Sequence, residues 1–177
     1  MENPIALWHA DHVYFRSLLA LLQREVDAFH AGERPDYELM LDIVAYLREF
    51  SDRLHHPREE FAFHRLAGRC PDLRDVLARL SREHHIIARA GDILVDKLNA
   101  VLNGALMPRG EVEVAAATFL VYYGNHMALE DEAVLPRAAQ ALGEEDWQMV
   151  WNATLPAALQ EGTHFHAMRR ELAAARS

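Results

Sequence analysis

Residues 5–29, IALWHADHVYFRSLLALLQREVDAF, place apolar side chains at Ile5, Trp8, Phe15, Leu19, Leu22, Val26 and Phe29, and His12 fills the gap in that stripe. Steps of three and four trace one face of an α-helix, so His12 points where its apolar neighbours point, into a core. The same interruption recurs downstream. His84 lies in Leu73, Leu77, Leu80, His84, Ile87, Gly91, Leu94, Leu98, and His126 continues Val112, Ala116, Phe119, Tyr123 toward Glu130 and Val134. A further helix carries His55-His56-Pro57-Arg58-Glu59-Glu60. Inward histidines on four helices, two of them followed four residues later by glutamate, call for something positive at the centre.

Breakers divide the chain into helices. The first runs from about Pro4 to Ala31, with Asn3 as N-cap and Pro4 in its first turn, and Gly32 and Pro35 end it. The second runs from an Asp36 N-cap to about Ala67, and Pro57 inside it predicts a kink or a local loss of backbone bonding. A third follows Pro71-Asp72 and stops before Asn103-Gly104. The fourth spans about Glu111 to Leu142, bent or broken at Pro136. A short helix near Glu145–Asn152 and a terminal one from about Pro156 complete the chain. Strand patterns never persist. The expected fold is all-α: an up-down-up-down four-helix bundle with additional C-terminal helices, in one domain over 1–177 whose bundle core covers about 4–142 and whose extension covers 143–177.

Composition excludes several classes of partner. With 27 acidic and 18 basic residues the chain carries a net charge of −9, which disfavours nucleic acid. Its 177 residues and hydrophobic fraction of 51% suit one well-cored globular domain. No uncharged apolar run approaches the ~20 residues of a membrane span. The N-terminus lacks the pattern of a signal peptide. Cys70 is the single cysteine, so no internal disulfide and no thiolate zinc site is expected, and a cytoplasmic location is the natural expectation.

Two buried glutamates and four buried imidazoles are costly unless compensated, by several kcal/mol per charge. A pair of divalent cations would neutralise the carboxylates and accept the imidazole nitrogens. The second helix leaves two registers open, His55 with Glu59 or His56 with Glu60. Phe63 lies four beyond Glu59, whereas Asp52 and Glu49 precede His56 on what should be a wetter face, which favours His55 and Glu59. His85 shares its face with Arg82, Arg89 and Asp92. His9, His30, His64, His164 and His166 read as surface or helix-end residues. Tyr14, Tyr122 and Tyr123 are placed to line the core.

The ordered set resembles the hemerythrin-like, or HHE cation-binding, family. It comprises Asp11-His12, His55-His56-Pro57-Arg58-Glu59-Glu60, Glu83-His84, and His126-Met127-Ala128-Leu129-Glu130-Asp131-Glu132 closing on Leu135-Pro136. The resemblance covers roughly Trp8 to Ala138. It implies a four-helix bundle holding a non-haem di-iron centre, with His12, His55, His84 and His126 as terminal ligands and Glu59 and Glu130 as bridges. It also prefers Glu59 over Glu60. Oxygen-carrying hemerythrins of invertebrates add a His-x-x-x-His pair on the third helix, but here Ala88 stands four residues after His84. Positions would therefore be left for oxygen, nitric oxide, peroxide or water. Family members that repair iron centres carry a cysteine-bearing segment before the bundle; here the first bundle helix starts almost at once, so repair is not expected.

Two iron ions are the expected cofactors, and manganese or zinc suits the same donors. The expected function is binding of, or reaction with, a small diatomic or peroxide ligand, as a sensor, scavenger or weak redox enzyme. The alternative is a metal-handling module that acts through a protein partner, or as a homo-oligomer, without turnover.

Overall fold

The structure, a computed structural model, describes residues 4–152. The described residues are helical apart from short connections, with no strand among them. In order they form α1 (Pro4–His30), α2 (Tyr37–Phe50), α3 (His56–Arg69), α4 (Arg74–Leu102), α5 (Arg109–Leu129) and α6 (Leu135–Ala141), followed by a helical stretch at 144–152. The expected Asn3 cap and the terminal helix from Pro156, with His164 and His166, lie outside the described residues.

Local chemistry accounts for the ends. The Asp36 carboxylate accepts the Leu39 N–H at 3.0 Å and caps α2. Past α1, Gly32 adopts φ 76°, and the Glu33 N–H reaches back to the Ala28 carbonyl at 2.9 Å. Gly104, at φ 82°, closes α4 in the same way through Ala105 and Ala100. Only glycine takes this left-handed cap without steric penalty.

The two prolines expected to disturb long helices do so by widening one turn. Ser51–His55 and Glu130–Val134 are π turns, in which the His56 N–H donates to the Ser51 carbonyl and the Leu135 N–H to the Glu130 carbonyl. Each turn ends two residues before a proline. A proline ring clashes with the carbonyl four residues earlier and offers no N–H. One extra residue in the turn moves that carbonyl away while keeping the chain helical. The α2–α3 and α5–α6 pairs therefore run on as continuous rods.

Helix α1 packs on α2 and α5, and α4 packs on the same two, which closes a ring around the core. Apolar side chains fill this ring in two separate clusters. One gathers Phe15, Leu22, Ile43, Leu47, Ile87, Leu94, Phe119 and Tyr123. The other gathers Trp8, Phe63, Leu66, Leu77, Leu80, Val134, Leu135 and Trp147. Each rod passes from one cluster to the other through a polar residue: Trp8–His12–Phe15, Leu54–His55–Phe63, Leu80–His84–Ile87 and Tyr123–His126–Val134. The histidines thus form a buried polar layer between two half-cores.

Candidate metal centre

All six expected site residues meet in this layer. His12, His55, Glu59, His84, His126 and Glu130 are each at most 6% exposed. Glu60, by contrast, has a side chain 45% exposed. The two glutamates lie between two groups of imidazoles. Glu59 turns Oε1 toward His55 Nε2 (2.8 Å) and His12 Nε2 (3.6 Å), and Oε2 toward His84 Nε2 (3.1 Å). Glu130 turns Oε2 toward His12 Nε2 (3.4 Å) and Oε1 toward His126 Nε2 (3.4 Å). Each carboxylate thus offers one oxygen to each side.

A second layer of carboxylates holds the imidazoles from behind. Asp131 lies 2.8 Å from His12 Nδ1, Asp11 3.2 Å from His55 Nδ1, Glu60 2.7 Å from His84 Nδ1 and Glu83 3.3 Å from His126 Nδ1. Carboxylates accept, so Nδ1–H donates in each pair and Nε2 turns inward. Every pair crosses between helices. Asp11, beside His12 in sequence, serves His55, and Glu83, beside His84, serves His126. Asp131 on the second π turn serves His12, and Glu60 on α3 serves His84. The chain of pairs closes around the bundle. Asp131 is itself held by Arg16, Glu83 by Arg79 and Glu60 by Ser81.

The inward atoms have no adequate protein partners. Both oxygens of Glu59 and of Glu130, and Nε2 of His56, His84 and His126, are buried without a hydrogen bond. His12 Nε2 and His55 Nε2 face each other at 3.2 Å, and the Trp8 indole N–H approaches His12 Nε2 at the same distance. Converging lone pairs and carboxylates in a dry interior repel unless cations lie among them. Imidazole and carboxylate without thiolate are donors for iron, manganese or zinc. Two sets stand close enough to hold an ion each: His12, His55 and Glu59, and His56, Glu59, His84 and His126.

The model of the hemerythrin HHE cation-binding domain family matches residues 3–138. The chain belongs to that family. No curated protein and no solved structure matches it.

Without ions, the layer of this HHE domain is held by protons. Burial lowers the His12 pKa, but Asp131, Glu130 and Glu59 outweigh it and hold the imidazole up to about 11. Against the same burial, Glu59 and Glu60 raise His84 to about 10, and Glu59 and Asp11 raise His55 to about 9. His126 goes the other way: burial, aided by the charges of His84 and His56 against the pull of Glu59, drops it to about 3. Burial and then the charge of His84 push His56 well below the free value. Burial and the neighbouring Glu59 lift Glu130 to about 7, while the surrounding imidazoles outweigh burial at Glu59 and keep it ionised.

These directions set the pH profile of the metal-free protein. The raised histidines, His12, His55 and His84, contribute stability that is complete below the free value of 6.5 and is lost as pH rises through about 9 to 11. The lowered groups, His56, His126 and Glu59, contribute stability that is lost in acid, the histidines from 6.5 downward and Glu59 below 4.5. Chemical melts of metal-free protein should therefore peak near neutrality and fall on both sides. A midpoint that keeps rising beyond pH 10 would contradict the proton-held layer. Ions must displace the same protons, so metal affinity should climb with pH well above the range of free imidazole.

The orienting carboxylates yield a second expectation. Asp131→Ala leaves His12 Nδ1 without its acceptor, and loss of such a partner costs about 10- to 100-fold in metal affinity. Competition titration against a chelator would measure it. An unchanged affinity would mean that Asp131 serves only Arg16.

Several placements differ from the sequence-based expectations. His56 is buried rather than on a wetter face, because Glu59 lies four residues after His55 and three after His56, so both imidazoles flank it. Asp52, expected to mark solvent, lies 3.5 Å behind His56 Nδ1. Tyr122 is 41% exposed and does not line the core. Tyr123 does line it, and its hydroxyl pairs with Ser51 on the first π turn. Tyr14 packs edge-on against Tyr46. His9, His30, His64 and His85 are exposed, as their neighbours suggest.

Proposed function

We propose that this HHE domain is a non-haem di-iron protein that binds or reacts with a small ligand such as oxygen, nitric oxide or peroxide. The observation that carries the reading is the convergence of orphaned imidazole and carboxylate atoms in a layer crossed by every long helix. In this reading the packing ring is an up-down-up-down four-helix bundle. His12 and His55 would hold one ion and His84 and His126 the other, with Glu59 and Glu130 offering a carboxylate oxygen to each side. Bound iron would supply a redox-active Lewis-acid pair with positions left for a small ligand. The residues do the rest. Asp11, Asp131, Glu60 and Glu83 fix the imidazole tautomers, and the two apolar clusters keep bulk water out.

Size selection also fits. A cavity of about 30 Å³ reaches the His55 and Glu59 edge of the layer and is lined by Leu7, Trp8, Asp11 and Trp147. It has room for very few water-sized molecules, at the ~10–15 Å³ that one requires. A second reading, a metal-handling module that works through a protein partner, draws on the outward apolar side chains Ile86, Ile93, Val114 and Val121 of α4 and α5. Optical spectra of ferrous-loaded protein under nitrogen, oxygen and nitric oxide separate the two. Gas-dependent bands support the first reading, and spectra indifferent to every gas and to peroxide favour the second. No helix among the described residues is long and apolar enough to cross a membrane.

A further inference from the structure

The chain has three tryptophans, and all of them line the one cavity that reaches His55 and Glu59. Trp8 is buried and stands edge-on to two imidazoles, with ring centroids 6.5 Å from His12 and 6.4 Å from His55. Trp147, also buried, meets Trp8 edge-on at 6.4 Å, within the range of aromatic contact. Trp151 follows Trp147 by four residues on the helical stretch 144–152, so the two indoles share a face. It is only partly buried, and the Arg58 guanidinium lies 4.5 Å over its ring. The series therefore runs from the polar layer outward, ring by ring, to the surface.

Core filling asks for large apolar side chains here, but not for indoles. Phe63, Leu66 and Leu80 serve that need in the same half-core. An indole differs in giving up an electron from the intact ring, and rings in contact pass the resulting vacancy between them. Tyr123, on the other side of the layer, is a poor exit. A phenol must shed its proton as it is oxidised, and its hydroxyl faces the buried Ser51, which is no base. Beyond it stand Phe15 and Phe119, whose rings are far harder to oxidise.

We infer that Trp8, Trp147 and Trp151 form an electron relay between the metal layer and the surface. The inference rests on the di-iron reading above and adds the route by which electrons reach that site. A peroxide reduced in the layer takes up two electrons and two protons and leaves as two waters. Each electron is drawn from Trp8, which is refilled from Trp147, and Trp147 from Trp151. The vacancy ends on Trp151, where the cation stacked on the ring disfavours a second positive charge. Oxidised Trp151 therefore releases its indole proton to water, and the neutral radical takes a hydrogen atom from a soluble thiol. Two passages release two electrons and two protons and consume two thiols, which join as a disulfide. The sum is peroxide and two thiols converted to two waters and a disulfide.

Peroxide treatment of the iron-loaded full chain without thiol, followed by peptide mass spectrometry, reads where the vacancy lands. Oxidised indole should accumulate at Trp151, vanish when thiol is added, and be absent from zinc-loaded protein, whose metal is redox-inert. Freeze-quenched samples should show a radical signal that changes when the tryptophans carry deuterated rings. In Trp147→Phe, oxidation at Trp151 should be lost while Trp8 is still attacked. Should that variant fail to fold, Trp151→Phe, at the edge of the fold, decides, because oxidation should then stop at Trp147. Oxidation confined to histidines or Tyr123 overturns the relay and leaves the di-iron reading intact. So does Trp151 oxidised equally in Trp147→Phe or in zinc-loaded protein, or no oxidised tryptophan in a chain that holds two iron ions. Fewer than two iron ions in the wild type would overturn the di-iron reading itself, and the relay with it.

Discussion

On the di-iron reading, Glu59→Ala is expected to lose at least one iron ion, whereas Glu60→Ala keeps two at saturating iron. Glu59 is 1% exposed and directs one oxygen to each imidazole group, so its removal leaves both metal positions without their shared anion. Two cations in a dry interior would then face each other with Glu130 alone between them. Glu60 is half-exposed and touches His84 only through Nδ1. Its loss should weaken binding by about 10- to 100-fold, the effect of removing an orienting carboxylate, without abolishing it. Metal analysis after anaerobic loading reads the difference. If Glu60→Ala loses an ion while Glu59→Ala retains two, the carboxylates have been assigned in the wrong register.

Loading with ferrous iron should raise the melting temperature substantially. An ion that binds only the folded chain stabilises it by about 2.7 kcal/mol when free metal is roughly 100-fold above the dissociation constant. For a chain of this length each kcal/mol shifts the transition by about 2–4 °C, so each ion should add about 5–10 °C. The gain should be larger above pH 9, where His12, His55 and His84 give up the protons that hold the metal-free layer together. Calorimetry of stripped and reloaded protein at two pH values would test this. Equal transitions would show that the layer needs no ion.

The helices and the inward histidines were legible because both depend on spacing within one segment. The stripe from Trp8 to Phe29 and the ends at Gly32, Asp36 and Gly104 follow from local rules, and the described helices match them closely. The features that were not legible depend on relations between segments. Pro57 and Pro136 announced a disturbance, but whether the chain would kink or widen depended on how the rods continue to pack past the proline. Asp11 and Glu83 diverge from their neighbouring histidines on their own helices, so no partner was evident until α1 lay against the first π turn and α4 against α5. Tyr122 and Tyr123 are adjacent, so only one could face inward, and the stripe through Phe119 and His126 selects Tyr123. His56 escaped because helical spacing was applied as a choice between two faces, when Glu59 stands within reach of both.

The buried polar layer also governs how the molecule comes apart. Two half-cores, one around Phe15 and Phe119 and one around Phe63 and Leu80, communicate mainly through side chains that demand an electrostatic counterpart. With ions bound, four helical segments are clamped at one level, and the ends should open together. With the ions gone, the end built from α3, α6 and the start of α4 can fluctuate while the larger half-core stays closed. Amide exchange would then show two protection classes in the stripped protein and one in the loaded protein, so the metal centre would act as the coupling that makes two folding units behave as one.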